Sequence, residues 1–184
     1  EYLLSLNVEE KVIDKAFSAA LFAKKDYERD IKEKNIEYYN KAKKNHNLIF
    51  LLAGRPYHTD SLIQHNLSSL IADFGVTVIS EDIVRKDEKI SSKDSYIVSQ
   101  WSFINRINRA AVFVGKEDKD VNFVQMTSFG CGPDAFLLDD VANILRRYGK
   151  SATQIKIDDI QNVGSMKLRI RSLIESLKLK KKLS

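Results

Sequence analysis

Cysteine is all but missing from this chain: 184 residues hold one, Cys131. A lone thiol excludes a disulfide framework and fits a reducing compartment, so a cytoplasmic location is expected. No stretch approaches the ~18 uninterrupted apolar residues of a membrane span. The first residues also lack the basic-then-apolar pattern of a signal peptide. No membrane partner is therefore expected. The chain starts with neither Met nor a helix cap, and it reads as an excised piece of something longer. Its length suffices for one proper core and not for two full domains.

Acidic residues are scarce only at one end. Residues 167–184 hold seven Lys/Arg against one Asp/Glu, which accounts for more than the whole net charge of +5. The basic excess thus belongs to a terminal helix and its "KLKKKLS" end, expected to be exposed. The remainder is near neutral, so no phosphate-tracking surface and no nucleic-acid partner are expected.

Glycine and proline are absent from residues 1–46, where Val12, Ile13, Ala16, Phe17, Ala20 and Leu21 recur at helical spacing. The spacing predicts a helix from about 8 to 44, continuous or broken near Asn35. Residues 1–46 are accordingly read as an N-terminal helical segment, and 47–184 as an α/β domain with a basic C-terminal tail. From Asn47 the pattern alternates. "NLIFLLAG" is a continuous apolar run, the mark of a strand buried on both faces. "SLIQHNLSSLIADFG" predicts a helix through Leu62, Ile63, Leu67, Leu70, Ile71 and Phe74, stopped by Gly75. "VTVIS" is a second strand. "KDSYIVSQWSFINRINRAAVFVG" predicts a longer helix with Trp101 on its core side, although its "AAVFVG" end could be a strand. "VNFVQMTS" and "TQIKID" are the third and fourth strands, with strands expected near 47–53, 76–80, 121–127 and 152–157. A helix over "DAFLLDDVANILRRYG", stopped by Gly149, lies between the last two strands, and another closes the chain.

Strands alternating with helices through short connections imply parallel pairing by right-handed crossovers. The expected spatial order is 2-1-3-4, half of a doubly wound sheet, with a crevice at the carboxyl ends of strands 1 and 3. That rim collects Arg55, Tyr57 and His58 after strand 1, and Ser80, Glu81 and Asp82 after strand 2. It also collects the segment Ser128–Asp134 after strand 3, and Asp158 and Asp159 after strand 4.

Cys131 is the most informative of these. Gly130 and Gly132 on either side let backbone approach the sulfur, and Pro133 suits the first position of the next helix. A helix N-terminus favours a thiolate, which can act as nucleophile, redox centre or soft-metal ligand. The alternative is a small buried hydrophobe. Spacing rules out several sharper readings. No arginine follows the cysteine in "CGPDAFLLDD", and neither GxxxxGK[ST] nor GxGxxG occurs. A tetrahedral metal or self-contained cluster needs three or four close ligands, which one cysteine cannot supply. His58 reads as an acid, base or anion donor, or equally as a loop histidine capping a carbonyl. Arg55 reads as an anion-binding group or as a partner of Glu81 or Asp82. His46 and His65 read as surface positions. Asp158 and Asp159 read as a cation site or, more plainly, as a helix cap.

Four stretches carry a resemblance, in the same order as in one family: "LLAGRPYHTDSLIQHNLSSLIADFGVTVISED", "SQWSFINRINRAAVFV", "NFVQMTSFGCGPDAFLLDDV" and "IKIDDIQNVGSMKLRIRSLI". Over about residues 47–178 the chain resembles the large fused CoA-substrate-specific enzyme activases, relatives of the 2-hydroxyacyl-CoA (2-hydroxyglutaryl-CoA) dehydratases and their activators. Residues 1–46 carry no motif that contributes to it. The resemblance implies Rossmann-like domains and a [4Fe–4S] cluster ligated by cysteines from different segments. It also implies ATPase activator domains that deliver a low-potential electron, and a candidate acyl-CoA substrate. Cys131 matches the family's Gly-Cys loop and would be a cluster ligand. Arg55, His58, Gly130 and Gly132 would border the cofactor. The remaining ligands and ATP motifs are absent here, so the expectation is a domain that binds no cluster and is inactive by itself. Two other readings stay open: a CoA-thioester or nucleotide-binding module without redox chemistry, and a structural or assembly domain.

Overall fold

The computed structural model describes residues 2–85, 101–128, 130, 132–157 and 163–182. The elements run α1 (Tyr2–Ser5), α2 (Glu10–Lys44), β1 (Ile49–Ala53), α3 (Leu67–Asp73), β2 (Thr77–Ser80), α4 (Ser102–Lys116), β3 (Val121–Thr127), α5 (Gly132–Arg147), β4 (Ala152–Lys156) and α6 (Val163–Lys182). The four strands form one sheet in the order β2-β1-β3-β4, and every pairing is parallel. Leu51 stands opposite Ile79 on one side and Phe123 on the other, so β1 is central and all five of its residues are buried. The continuous apolar run predicted this.

Alternation along β1 divides the core. Ile49, Leu51 and Ala53 join Ile104, Ile107, Leu137 and Val141 on one face. Phe50 and Leu52 join Leu67, Ile71, Met166, Ile170 and Ile174 on the other. A period of two sends neighbouring side chains to opposite faces, and each face is roofed by helices. Gly75 and Gly149, at φ +76° and +70°, end α3 and α5 in the left-handed region that suits glycine.

Several expectations need correction. No break occurs at Asn35: α2 is one helix of 35 residues. The Asn35 amide donates to the carbonyl of Ile31 at 2.8 Å, and its oxygen accepts the N–H of Ser80 at 2.6 Å. A polar residue that looked like a breaker instead fastens the helix to the end of β2. The helix predicted over 61–74 forms only from Leu67. His65 and Asn66 adopt φ of +52° and +55°, and Asp60 Oδ1 accepts the N–H groups of Leu62 and Ile63, holding a turn there. Leu62 is 81% exposed rather than in the core. Trp101, expected in the core, is also exposed and stacks on Phe103 at 6.1 Å. The "AAVFVG" end is helical, within α4. The part of the long predicted helix before residue 101 lies outside the described residues, as do Asp158 and Asp159.

The direction of α2 matters for the rim. Ala42 lies in the core with Ile49, whereas Asn35 already meets the carboxyl end of β2. The helix therefore runs antiparallel to β1, and its earlier turns rise past the carboxyl edge of the sheet. There Val12, Phe17 and Phe22 are exposed. At the far end the basic tail is exposed but not idle: Lys181 donates to Asp120 at 2.8 Å and to the carbonyl of His46 at 3.0 Å. Among the described residues, no helix is long and apolar enough to cross a membrane.

Candidate functional site

After β1 the chain makes one 3-10 turn, Pro56–Thr59, with Pro56 at its first position. The turn swings His58 back under the loop, where it is fully buried. His58 Nδ1 accepts the backbone N–H of Arg55 at 3.1 Å. An amide N–H can only donate, so Nδ1 carries no proton and Nε2–H donates to Ser128 Oγ at 3.0 Å. Tyr57 Oη lies 3.0 Å from the same hydroxyl, and the Tyr57 and His58 rings meet edge to face at 4.6 Å. Gly54 is demanded by this arrangement: a Cβ there would stand 2.6 Å from His58 Nδ1.

Arg55 reaches the other way. Its Nε and Nη2 donate to Asp134 Oδ1 at 3.1 and 2.9 Å, and Nε also approaches Oδ2 at 3.2 Å. The guanidinium sits 5.3 Å from the Phe103 ring centre. Asp134 lies in the first turn of α5, where the helix dipole also favours a carboxylate. Glu81 and Asp82, the partners considered from sequence, belong instead to Arg106 and Arg85. Arg106 Nη2 lies 3.1 Å from Glu81 Oε1, and Arg85 Nε donates to Asp82 Oδ1 at 2.8 Å. Burial pushes the Glu81 carboxyl up to about 7, against the pull of Arg106 and helped by the Asp82 charge beside it.

The loop after β1 therefore grips the β3–α5 connection on both sides of residues 129–131: Ser128 before them, Asp134 after them. Phe129 and Cys131 themselves lie outside the described residues. Gly130 and Gly132 are exposed, neither has a left-handed φ, and a Cβ on either would meet open space. Among the described residues, nothing requires glycine at those two positions. The Ser128 bonds bridge β1 to β3 at the rim. A cleft of about 330 Å³ lies on the other side of β1, with Leu52, Gly54, His58 and Ser80 along one wall and Asn35 and Tyr38 of α2 along the other. Among the described residues, no group of three or more His, Cys, Asp or Glu could hold a metal ion.

Sequence reasoning gathered Arg55, His58, Ser128 and Asp134 on one rim but missed who bonds whom. It also missed Asn35 and Arg106. The signal for Arg106 was present, since Ser102, Asn105, Arg106 and Arg109 recur at helical spacing opposite Ile104, Ile107 and Ala111.

Residues 1–84 match the family model described as a CoA enzyme activase uncharacterised domain. Those residues are similar to that family over 84 of the chain's 184 residues. The activase match takes in α2, although residues 1–46 had offered no recognisable motif. It continues through the GRPYH loop and ends in the turn after β2. No curated protein and no solved structure matches the chain.

Proposed function

We propose that this chain is one domain of a 2-hydroxyacyl-CoA dehydratase-like iron–sulfur protein. In that protein Cys131 supplies a single thiolate to a [4Fe–4S] cluster completed by cysteines of other segments. The observation that supports this reading is the pair of anchors that flank the Gly-Cys-Gly stretch in sequence, Ser128 bonded to His58 and Tyr57 and Asp134 bonded to Arg55. A ligand shared between domains must be held still by its own domain, and neighbouring buried bonds do this. The open space beside Gly130 and Gly132 suits the approach of a bulky group from outside the chain. One cysteine cannot hold such a cluster, so the donor set here fits a contributor of one ligand and not a complete site.

When bound, the cluster would carry a single low-potential electron, delivered by ATP-hydrolysing activator domains toward an acyl-CoA substrate. Arg55 and His58 then act as positioning residues behind the cysteine. This chemistry belongs to a reducing, cytoplasmic compartment. The assembly reading retains its own support, because Phe17, Leu21 and Phe22 expose apolar surface on α2.

The test uses the intact parent protein, purified anaerobically. Cys131→Ser should lower iron content and the visible absorption of the cluster while ATP hydrolysis by the separate domains continues. A variant that keeps its full iron and its electron-accepting activity would show that Cys131 is not a ligand.

A further inference from the structure

One side of α4 has no part in that reading. Ser102, Asn105, Arg106 and Arg109 stand at i, i+3, i+4 and i+7, so they share one helix face. They line a cleft of about 530 Å³ that Lys24 of α2 closes from the opposite side. That size falls within the ~300–1,000 Å³ range of small-molecule sites.

The cations here are unevenly neutralised. Arg85 bonds Asp82 and Glu28, and Arg106 bonds Glu81 and lies 3.8 Å from Asp82. Among the described residues, no acid pairs with Arg109 or Lys24. Arg109 Nε is buried and has no hydrogen-bond acceptor, and the same holds for Arg106 Nε. Buried donors without acceptors are rare, because leaving them unpaired is costly. The first turn of α4 also contains no acidic side chain, so the positive end of a 15-residue helix opens on the same space.

We propose that this cleft is an oxyanion site that takes a phosphate group, with Arg109 and Lys24 as its charged donors and Ser102 as a hydroxyl donor. Arg85 and Arg106, held by their own acids, form a fixed cationic wall. A planar guanidinium fork matches tetrahedral phosphate oxygens, and the volume leaves room for the small organic part of a phosphate ester. The site is separate from the Cys131 loop and does not depend on the cluster reading.

Calorimetric titrations of the full-length protein with inorganic phosphate, pyrophosphate and glycerol 2-phosphate test it. They are compared with Arg109→Gln, Arg109→Lys, Lys24→Gln and the exposed control Arg171→Gln. Saturable binding is expected to weaken about tenfold or more in Arg109→Gln, less in Arg109→Lys, and not at all in Arg171→Gln. Lys24→Gln should weaken it too, and salt should reduce the wild-type affinity. Tighter binding of the ester than of inorganic phosphate marks an organic ligand, and equal binding marks the free anion. The proposal is overturned if none of the three anions saturates the wild type. It is equally overturned if folded Arg109→Gln and Lys24→Gln both bind as the wild type does.

Discussion

Replacing Arg55 by Met removes the charge and keeps much of the side-chain volume, and the Asp134 carboxylate then stays behind. That carboxylate belongs to a side chain only 8% exposed, while Arg55 is 23% exposed. Stripping the partner from a fully buried ion pair costs about 3–5 kcal/mol. Water reaches this pair from the Arg55 side, so about 2–3 kcal/mol is expected, with up to ~1 more from the lost Phe103 contact. Asp134→Asn should cost less, about 1–2 kcal/mol, because the asparagine oxygen can still accept from the guanidinium and the dipole interaction is small. The double variant should recover part of the loss, with a coupling of about 1.5–2.5 kcal/mol in a double-mutant cycle. Urea unfolding followed by circular dichroism measures all four proteins, and an unchanged m-value confirms that the states compared are the same. Pairing Arg55→Met with Arg29→Ala, far away on α2, should be additive. A coupling below about 0.5 kcal/mol would refute the claim that Arg55 ties the two loops together. The positioning role of the GRPYH segment would fall with it.

Gly54→Ala should destabilise by about 2–3 kcal/mol, because the new methyl meets a His58 ring held at both nitrogens. Gly115→Ala collides with the Tyr148 ring instead. Tyr148 is 38% exposed and can swing outward, so the net change should stay within about 1 kcal/mol once the helix-propensity gain is included. Equal losses at the two glycines would contradict this contrast. Glu81 has a folded pKa raised from 4.5 to about 7, so it contributes stability that is full below about 4.5 and is lost as pH rises through 7. Wild type should therefore lose up to about 3 kcal/mol relative to Glu81→Gln between pH 4.5 and 8, and parallel pH profiles would exclude the shift.

The sheet was readable because its signals are local and redundant. An uninterrupted apolar run such as "IFLLA" has few uses other than a strand covered on both faces. Strands alternating with helices leave one common order. Gly75 and Gly149 were readable for the same reason, since a helix stop needs only its own backbone. Failures came where a helical period showed a face but not what it faces. Leu62 and Ile63 keep the spacing of Leu67, yet the carboxylate of Asp60 and the left-handed His65–Asn66 pair hold that stretch in turns. Trp101 keeps the spacing of Ile104 but sits at the helix entrance, where it is exposed beside Phe103. Asn35 was misread because its partner, the N–H of Ser80, lies 45 residues away. The rim suffered in the same way. Topology brought the β1 and β3 loops together, but pairing Arg55 with Asp134 rather than Asp82 is decided by reach and direction in three dimensions.

The stretch matched by the activase family ends at residue 84, but the fold does not divide there. β1 pairs with β2 inside the matched stretch and with β3 beyond it, and both of its faces need residues from α4, α5 and α6 to be covered. The motif of the matched part, Gly54 to His58, reaches beyond residues 1–84 for several of its bonds. Its long-range partners among the described residues include Ser128, Asp134 and Phe103. A motif whose side chains are spent on the next loop is understood only together with that loop. The physical unit at this rim is therefore the pair of loops, joined at the buried Ser128 and at the buried Asp134.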